Sequence, residues 1–199
     1  YCSFNPARFM LRFPNAKINL GLFITGKRSD GYHNLETIFY PVQPADALEL
    51  IGYGIHKTTV KTTGLEVSGN PETNLVWKAW KLLQQDFPSK VMPLSIFLHK
   101  VIPMGAGMGG GSSDGAFMLG MLNDHFQLGL GDAELERYAL QLGSDCPFFI
   151  RNRPAFAMGR GELLELIDLD LSPYTIQVIC PQIHVSTAIA FRDVKPAPA

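Results

Sequence analysis

At 199 residues the chain is long enough for one large domain with a full core, or for one and a half small ones. Its 46% hydrophobic and 18% charged residues are those of an ordinary globular protein, and a net charge of −1 lacks the basic excess of a nucleic-acid binder. Cys2, Cys146 and Cys180 are odd in number and far apart, which fits neither a disulfide framework nor a zinc site and points to a reducing compartment.

No apolar run approaches membrane-spanning length, and residues 1–11 lack the uninterrupted apolar core of a signal peptide, so a cytoplasmic protein without membrane partners is expected. The first methionine is Met10, so residues 1–9 read as an upstream extension or a scar. The last residues, Lys195-Pro-Ala-Pro-Ala199, have the composition of a linker, and a fragment of a longer chain is expected.

Residues 13–25 open with a strand signal. Ile18, Leu20, Leu22 and Ile24 alternate with Lys17, Asn19, Gly21 and Phe23, which places Lys17 and Asn19 together on the face opposite the apolar one. A lysine there is either an ordinary solvated side chain or a functional one, and the pattern alone leaves both open. Asp30-Gly31 marks a turn, followed by Tyr32-His33-Asn34 and a second strand over 35–42, with Pro41 suggesting an edge or a strand end. Tyr32 and His33 can stack on a flat ring or merely decorate the turn.

Residues 47–51 and 58–63 read as further strands. Asn74 is placed to cap a helix from 75 to about 87, with Leu75/Val76, Ala79 and Leu82/Leu83 as its apolar stripe. Residues 94–99 alternate again. A helix over 113–126, apolar nearly all round, is expected at the centre of the fold, with Ser112-Ser113-Asp114 as its N-cap. Asp132 is placed to cap another helix, ended by Gly143. Strands are expected at 148–150, 155–158, 163–166 and 174–180. Asp145 lies between a helix end and a strand. It is a plain turn residue or, beside a phosphate loop, a candidate base.

The most informative stretch runs from Pro103 to Asp114. Five glycines in seven residues (Gly105, Gly107, Gly109, Gly110, Gly111) leave backbone N–H groups unshielded just before a helix, and the positive end of a helix dipole favours an anion there. A phosphate cradle is therefore the first reading, against a loop that merely happens to be rich in glycine. A Walker A loop requires Gly-Lys-Ser/Thr, and no lysine follows these glycines. Gly105-x-Gly107-x-x-Gly110 satisfies the dinucleotide fingerprint, but the acidic residue about twenty positions on should end a second strand, and Asp124 falls in the same helix.

Pro103-x-x-x-Gly107-x-Gly-Gly-Gly-Ser-Ser113 resembles the central motif of the galactokinase, homoserine, mevalonate and phosphomevalonate kinase (GHMP) superfamily. Within it, three segments in matching order resemble the 4-diphosphocytidyl-2-C-methyl-D-erythritol kinase family of the non-mevalonate isoprenoid pathway. They are Ala16-Lys-Ile-Asn-Leu20 with Ile24-Thr-Gly-Lys-Arg-Ser-Asp-Gly-Tyr-His33, the glycine loop, and Leu142-Gly-Ser-Asp-Cys-Pro-Phe-Phe149. The likeness runs from about Met10 to the end of the chain.

The resemblance implies an α+β fold. Residues 10–166 would form a GHMP-kinase N-terminal domain of the ribosomal protein S5 domain 2-like type, a two-layer α/β sandwich. Residues 167–199 would begin a ferredoxin-like C-terminal domain. The implied reaction moves the γ-phosphoryl of ATP to the 2-hydroxyl of the substrate's methylerythritol part. By similarity Asp145 accepts the hydroxyl proton, while Lys17 favours its ionised form and offsets developing charge. Pro103, Met104, Gly105, Ala106, Gly107, Met108, Gly109, Gly110, Gly111, Ser112 and Ser113 would wrap the ATP phosphates, with Asn74 and Lys100 near the nucleotide. Asn19, His33 and Thr187 would hydrogen-bond the substrate, and Tyr32 and Phe191 would sandwich its cytosine. Mg2+ is expected with ATP and held mainly through it, no acidic cluster being evident in the sequence.

Asp114-Gly115 departs from the family's usual small or amide residue followed by Ala. A glycine so early in a helix costs up to about 1 kcal/mol. Competing readings are a superfamily kinase for another small alcohol, of the mevalonate or homoserine type, and a non-catalytic nucleotide-binding domain. Gly31-Tyr-His33 and Phe191 argue against the first, and the presence of both Lys17 and Asp145 argues against the second.

Overall fold

Residues 9–52, 54–67, 69–181, 194 and 196 are described by the computed structural model of the chain. Thr187 and Phe191, two of the expected substrate contacts, lie outside these residues. The early alternating segments build two sheets. β1 (Phe9–Arg12), β4 (Ala47–Ile51), β6 (Ser95–Lys100) and β5 (Thr59–Gly64) stand side by side in that order. β2 (Asn15–Lys27), β3 (His33–Ala45), β7 (Ala155–Met158) and β8 (Leu163–Leu166) form the second sheet, also in that order. All neighbours run antiparallel except β5 and β6. That parallel pair is joined through α1 (Leu75–Asp86), since parallel strands need a crossover where antiparallel ones can turn back directly.

The inward face of the first sheet contributes Leu48, Leu50, Ile96 and Leu98 to the main core. Against them pack Val76, Ala79 and Leu83 of α1 and Met118, Leu119, Met121 and Leu122 of α2 (Gly110–His125). Leu135 and Ala139 of α3 (Asp132–Leu142) close the far side. The α2 helix is the central one, as its all-round apolar surface predicts. Each large side chain buried here stabilises the fold by about 1.5–3 kcal/mol. Its Gly115 has a packing reason: a Cβ there would sit 3.0 Å from Cβ of Leu75 and 3.2 Å from Cδ1 of Leu142, so glycine lets α1 and α3 close on α2.

Several expectations are corrected. The helix after the glycine loop begins at Gly110, three residues before the expected start, and its N-cap is Gly109 in the left-handed region (φ 68°) with no side-chain cap. Ser112, Ser113 and Asp114 are therefore helical residues of its first turns. The cap of α3 is Gly131, whose N–H donates to Oε2 of Glu134 (3.0 Å), with Asp132 the first helical residue. Residues 148–150 form no strand but belong to the short helix α4 (Phe148–Arg151), started by Pro147 in the αR region and stopped by Asn152 in αL. Residues 174–180 alternate in sequence yet join no ladder among the described residues.

The β2 strand shows why alternation misleads here. The end of the strand that carries Lys17 is covered on both faces, with Lys17 4% and Ala16 0% exposed, whereas Leu22 further along is 47% exposed. On the Lys17 face, Phe39 of β3 meets Phe148 edge-on (ring centroids 5.3 Å), and Gly109 of the glycine loop closes on Lys17. A register shift between Leu20 and Leu22, with Gly21 at φ 69°, breaks the period-two pattern halfway along the strand. Lys17 is therefore not the ordinary solvated side chain that the pattern allowed.

Candidate active site

Lys17 is held from three sides. Its backbone N–H donates to the Met108 carbonyl (2.9 Å), which stitches β2 to the glycine loop. Its ammonium donates to Oδ1 of Asn19 (2.7 Å) and stands 4.5 Å from the Phe39 ring centroid. Asn19 donates in turn to Thr37 Oγ1 (3.1 Å), and Thr37 donates to the Gly21 carbonyl (2.5 Å). This chain of bonds leaves the buried ammonium one direction in which to offer its charge. There lies Asp145, with Oδ2 at 3.3 Å from Nζ. The Lys17 side chain is 5% exposed and that of Asp145 33%, so the cation is sealed and the carboxylate open on one side.

Asp145 is carried by the turn between α3 and α4, where Cys146 N–H donates to Gly143 O (3.2 Å) and Phe149 N–H to Cys146 O (3.1 Å). Burial pushes the neighbouring Cys146 thiol up to about 12, outweighing the opposing hydrogen bond with Ser112. The thiol stays protonated at neutral pH and is no nucleophile.

The glycine loop explains its own composition. A Cβ on Gly109 would press on Phe149 Cζ at 2.9 Å and Lys17 Cε at 3.2 Å. On Gly110 it would meet Ile102 Cγ2 at 2.8 Å and Lys100 Nζ at 3.3 Å. The two glycines thus let the start of α2 sit between Lys17 on one flank and Lys100 on the other. Met108 anchors the loop by packing with Ala16, Val42 and Ile102. The first N–H groups of α2 have no intrahelical acceptor and no side-chain cap, which is the condition for holding an anion. Ser113 Oγ, buried in the same turn, has no hydrogen-bond partner.

On the other flank a cleft of about 360 Å³ is lined by Val60, Leu75 and Met104 as apolar walls and by Asn74, Lys100 and Asp114 as polar groups. Asn74 spends its side-chain oxygen on the Val76 N–H (3.0 Å) as the cap of α1. Lys100, 1% exposed, is bound by two carboxylates: Asp46, and Asp114 at 2.7 Å. The second oxygen of Asp46 accepts from the N–H groups of Val101 (2.5 Å) and Ile102 (2.9 Å). This buried trio pins the entry of the glycine loop to β6 and to α2. Burial raises the Asp114 carboxyl to about 7, overcoming the pull of Lys100. Asp46 and Asp114 were not among the expected site residues. An aspartate in the first turns of an apolar helix is the signal that could have found the latter.

Tyr32 is 53% exposed, and the Arg160 guanidinium stacks over its ring, 3.7 Å from the centroid. His33 pairs with Lys27 across the β2–β3 hairpin. Among the described residues no group of three or more His, Cys, Asp or Glu side chains could hold a metal ion, and no helix is long and apolar enough to cross a membrane.

Residues 74–153 match the family model described as the GHMP kinases N terminal domain. The 4-diphosphocytidyl-2-C-methyl-D-erythritol kinases of Bacteroides thetaiotaomicron and Bacteroides fragilis (strain ATCC 25285) are 55% and 53% identical to it over 189 residues, covering 94% of this chain. The chain belongs to the 4-diphosphocytidyl-2-C-methyl-D-erythritol kinase family. A crystal structure of a 4-(cytidine 5'-diphospho)-2C-methyl-D-erythritol kinase shares its fold with a TM-score of 0.75 at 32% identity, over 94% of this chain. The chain spans 68% of the length of each of the two Bacteroides kinases and 65% of that crystal chain. The expected α+β fold of a GHMP-kinase N-terminal domain is thus the observed one.

Proposed function

We propose that the protein to which this chain belongs transfers the γ-phosphoryl group of ATP to the 2-hydroxyl of 4-diphosphocytidyl-2-C-methyl-D-erythritol. The observation that carries this is the Lys17–Asp145 pair, 3.3 Å apart beside the glycine loop, one member sealed and the other open. The family's printed name supplies the substrate. Asp145 accepts the proton of the acceptor hydroxyl as its oxygen bonds to the γ-phosphorus. The bond to the ADP oxygen breaks, and the proton passes to solvent through the open side of the carboxylate. Lys17 aims that carboxylate and offsets the negative charge that gathers when phosphates and base share one site. Phosphoryl transfer needs mainly such positioning and fixed charge from a protein.

The residues fit ATP. Free N–H groups at the start of α2 and the backbone of Pro103, Met104, Gly105, Ala106, Gly107, Met108, Gly109, Gly110, Gly111, Ser112 and Ser113 hold the phosphates. The cleft beside Asn74 and Lys100 takes the nucleoside. Lys100 acts there as the ion-paired floor, its ammonium already committed to two carboxylates. Mg2+, held mainly through the ATP oxygens, supplies charge neutralisation when bound. On the substrate side we assign Asn19, Tyr32 and His33, with Thr187 and Phe191 assigned on resemblance alone. Residues 10–166 constitute the catalytic domain and residues 167–199 lead into a second one. The chemistry belongs to the cytoplasm, which the free Cys146 and Cys180 suit.

The test is an ADP-release assay on the chain extended to the length of its relatives, with the cytidine diphosphate substrate, mevalonate and homoserine offered in turn. ADP release with the first alone is expected. Release with mevalonate or homoserine alone overturns the substrate, and release with none overturns the activity.

A further inference from the structure

Arg160 stands on the short connection between β7 and β8, flanked by Gly159 at φ 69° and Gly161 at φ 106°. Both glycines adopt the left-handed region, so the backbone is bent to present the side chain between them. The loop is tied down from both ends. The Gly159 carbonyl accepts from Leu35 N–H on β3 (2.7 Å), and Gly161 N–H donates to the Met158 carbonyl (3.0 Å). Arg160 N–H donates to Oε2 of Glu162 (2.5 Å), which turns that carboxylate towards the backbone.

The guanidinium has an unusual situation for a partly buried cation. It stacks on Tyr32 at 3.7 Å, its Nε is buried without a hydrogen-bond partner, and it enters no ion pair among the described residues. Asp30 feels its charge but is bound elsewhere, accepting from Tyr32 N–H (3.1 Å) and from Arg28 Nε (3.0 Å). With Nε buried, the two terminal Nη groups of this planar, weakly hydrated guanidinium are the donors suited to bidentate contact with phosphate oxygens.

The position of Arg160 says which phosphate. One residue further on, a Cβ on Gly161 would lie 3.4 Å from Asp145 Oδ1 and 3.4 Å from Phe39 Cζ, so this loop touches the base on one side and Tyr32 on the other. The order along the site is Tyr32, Arg160, Gly161, Asp145. The order along the substrate is flat base, diphosphate, acceptor alcohol. We infer that Arg160 is a substrate-binding residue that grips the diphosphate between the base on Tyr32 and the hydroxyl at Asp145, setting the distance between the two ends. This inference rests on the kinase reading above.

The experiment uses the chain extended to the length of its relatives. It compares the wild type with Arg160→Met, which keeps an unbranched side chain against Tyr32 without charge, and with Arg160→Lys. KM for the cytidine diphosphate substrate and for ATP is measured together with inhibition by cytidine diphosphate and by cytidine, and circular dichroism checks the fold. Arg160→Met is expected to weaken both substrate and cytidine diphosphate by roughly 10–100-fold, the loss of charge-assisted hydrogen bonds. Cytidine and ATP should bind as before, and Arg160→Lys should recover part of the loss. Equal weakening of cytidine and cytidine diphosphate means that Arg160 merely props Tyr32, and this overturns the inference. Unchanged cytidine diphosphate binding in Arg160→Met overturns it too, while the kinase reading stands. A wild type that neither turns over the substrate nor binds cytidine diphosphate overturns the kinase reading and this inference with it.

Discussion

Asp145 and Asp114 are two aspartates a short distance from the same glycine loop, and their surroundings give them different work. Asp145 faces a sealed ammonium with one side open, the condition for taking a proton and releasing it. Asp145→Asn should lower turnover by roughly 10²–10⁴-fold and leave ATP binding intact, as single-turnover and equilibrium-binding measurements would show. Near-normal turnover would remove Asp145 from the mechanism. Asp114 is closed in against Lys100, and its carboxyl is raised from the ordinary 3.8 to about 7, first by burial. The folded state therefore holds a proton there that the unfolded chain releases near 3.8, so this residue costs stability as pH rises from about 4 to about 7. Asp114→Asn should be free of that loss and gain on the wild type across this window, by on the order of 4 kcal/mol at most. Urea unfolding at pH 4.5 and 8 measures it, and an equal difference at both pH values would dismiss the titration.

At the scale of elements, the start of α2 decides the site. Gly107 and Gly109 both have φ near 70°, yet a Cβ on Gly107 would meet nothing within 4 Å, whereas on Gly109 it would press on Phe149 and Lys17. Alanine at either position carries the left-handed strain, about 1–2 kcal/mol. Gly109→Ala should cost about 1–3 kcal/mol more from overpacking, and should lower kcat by displacing Lys17. Thermal unfolding and kcat of the two variants side by side check this, and equal losses would mean that packing against Lys17 is unimportant. The same stretch shows how far a local pattern reaches. Asn74 signals the start of α1 because capping is a local hydrogen bond, and it is made. The Ser112-Ser113-Asp114 signal is equally good locally, but the helix starts at Gly110 because Gly109 and Gly110 fit between Phe149, Lys17, Ile102 and Lys100. Phe148-Phe149-Ile150 has strand-forming residues, and the Pro147 and Asn152 conformations turn it into α4.

Across the whole molecule, two sheets, the glycine loop and the β7–β8 connection bring residues far apart in sequence to one place. The proposed function gives this site two flanks, a nucleotide side at the cleft lined by Asn74, Met104 and Lys100 and a substrate side at Tyr32, Arg160 and Asp145. Free cytidine diphosphate should therefore compete with the cytidine-bearing substrate and leave the KM for ATP unchanged. Initial-rate measurements at several concentrations of each decide it. Competition against ATP alone would put the cytidine site on the wrong flank.

From residue types and spacing alone, the glycine loop, the Lys17 and Asp145 segments, the α1 cap and most strands are legible, because each is a local matter of backbone freedom, capping or period-two burial. The family follows from three such segments in order. That Lys17 is buried depends on the second sheet meeting α4 and the glycine loop, and β2 carries no mark of it. The Asp46–Lys100–Asp114 trio joins residues 54 and 14 positions apart, and Arg160 is set against Tyr32 from more than a hundred residues away. Only tertiary packing brings charges together over such separations, and their partners, not their identities, decide whether they bind, brace or react.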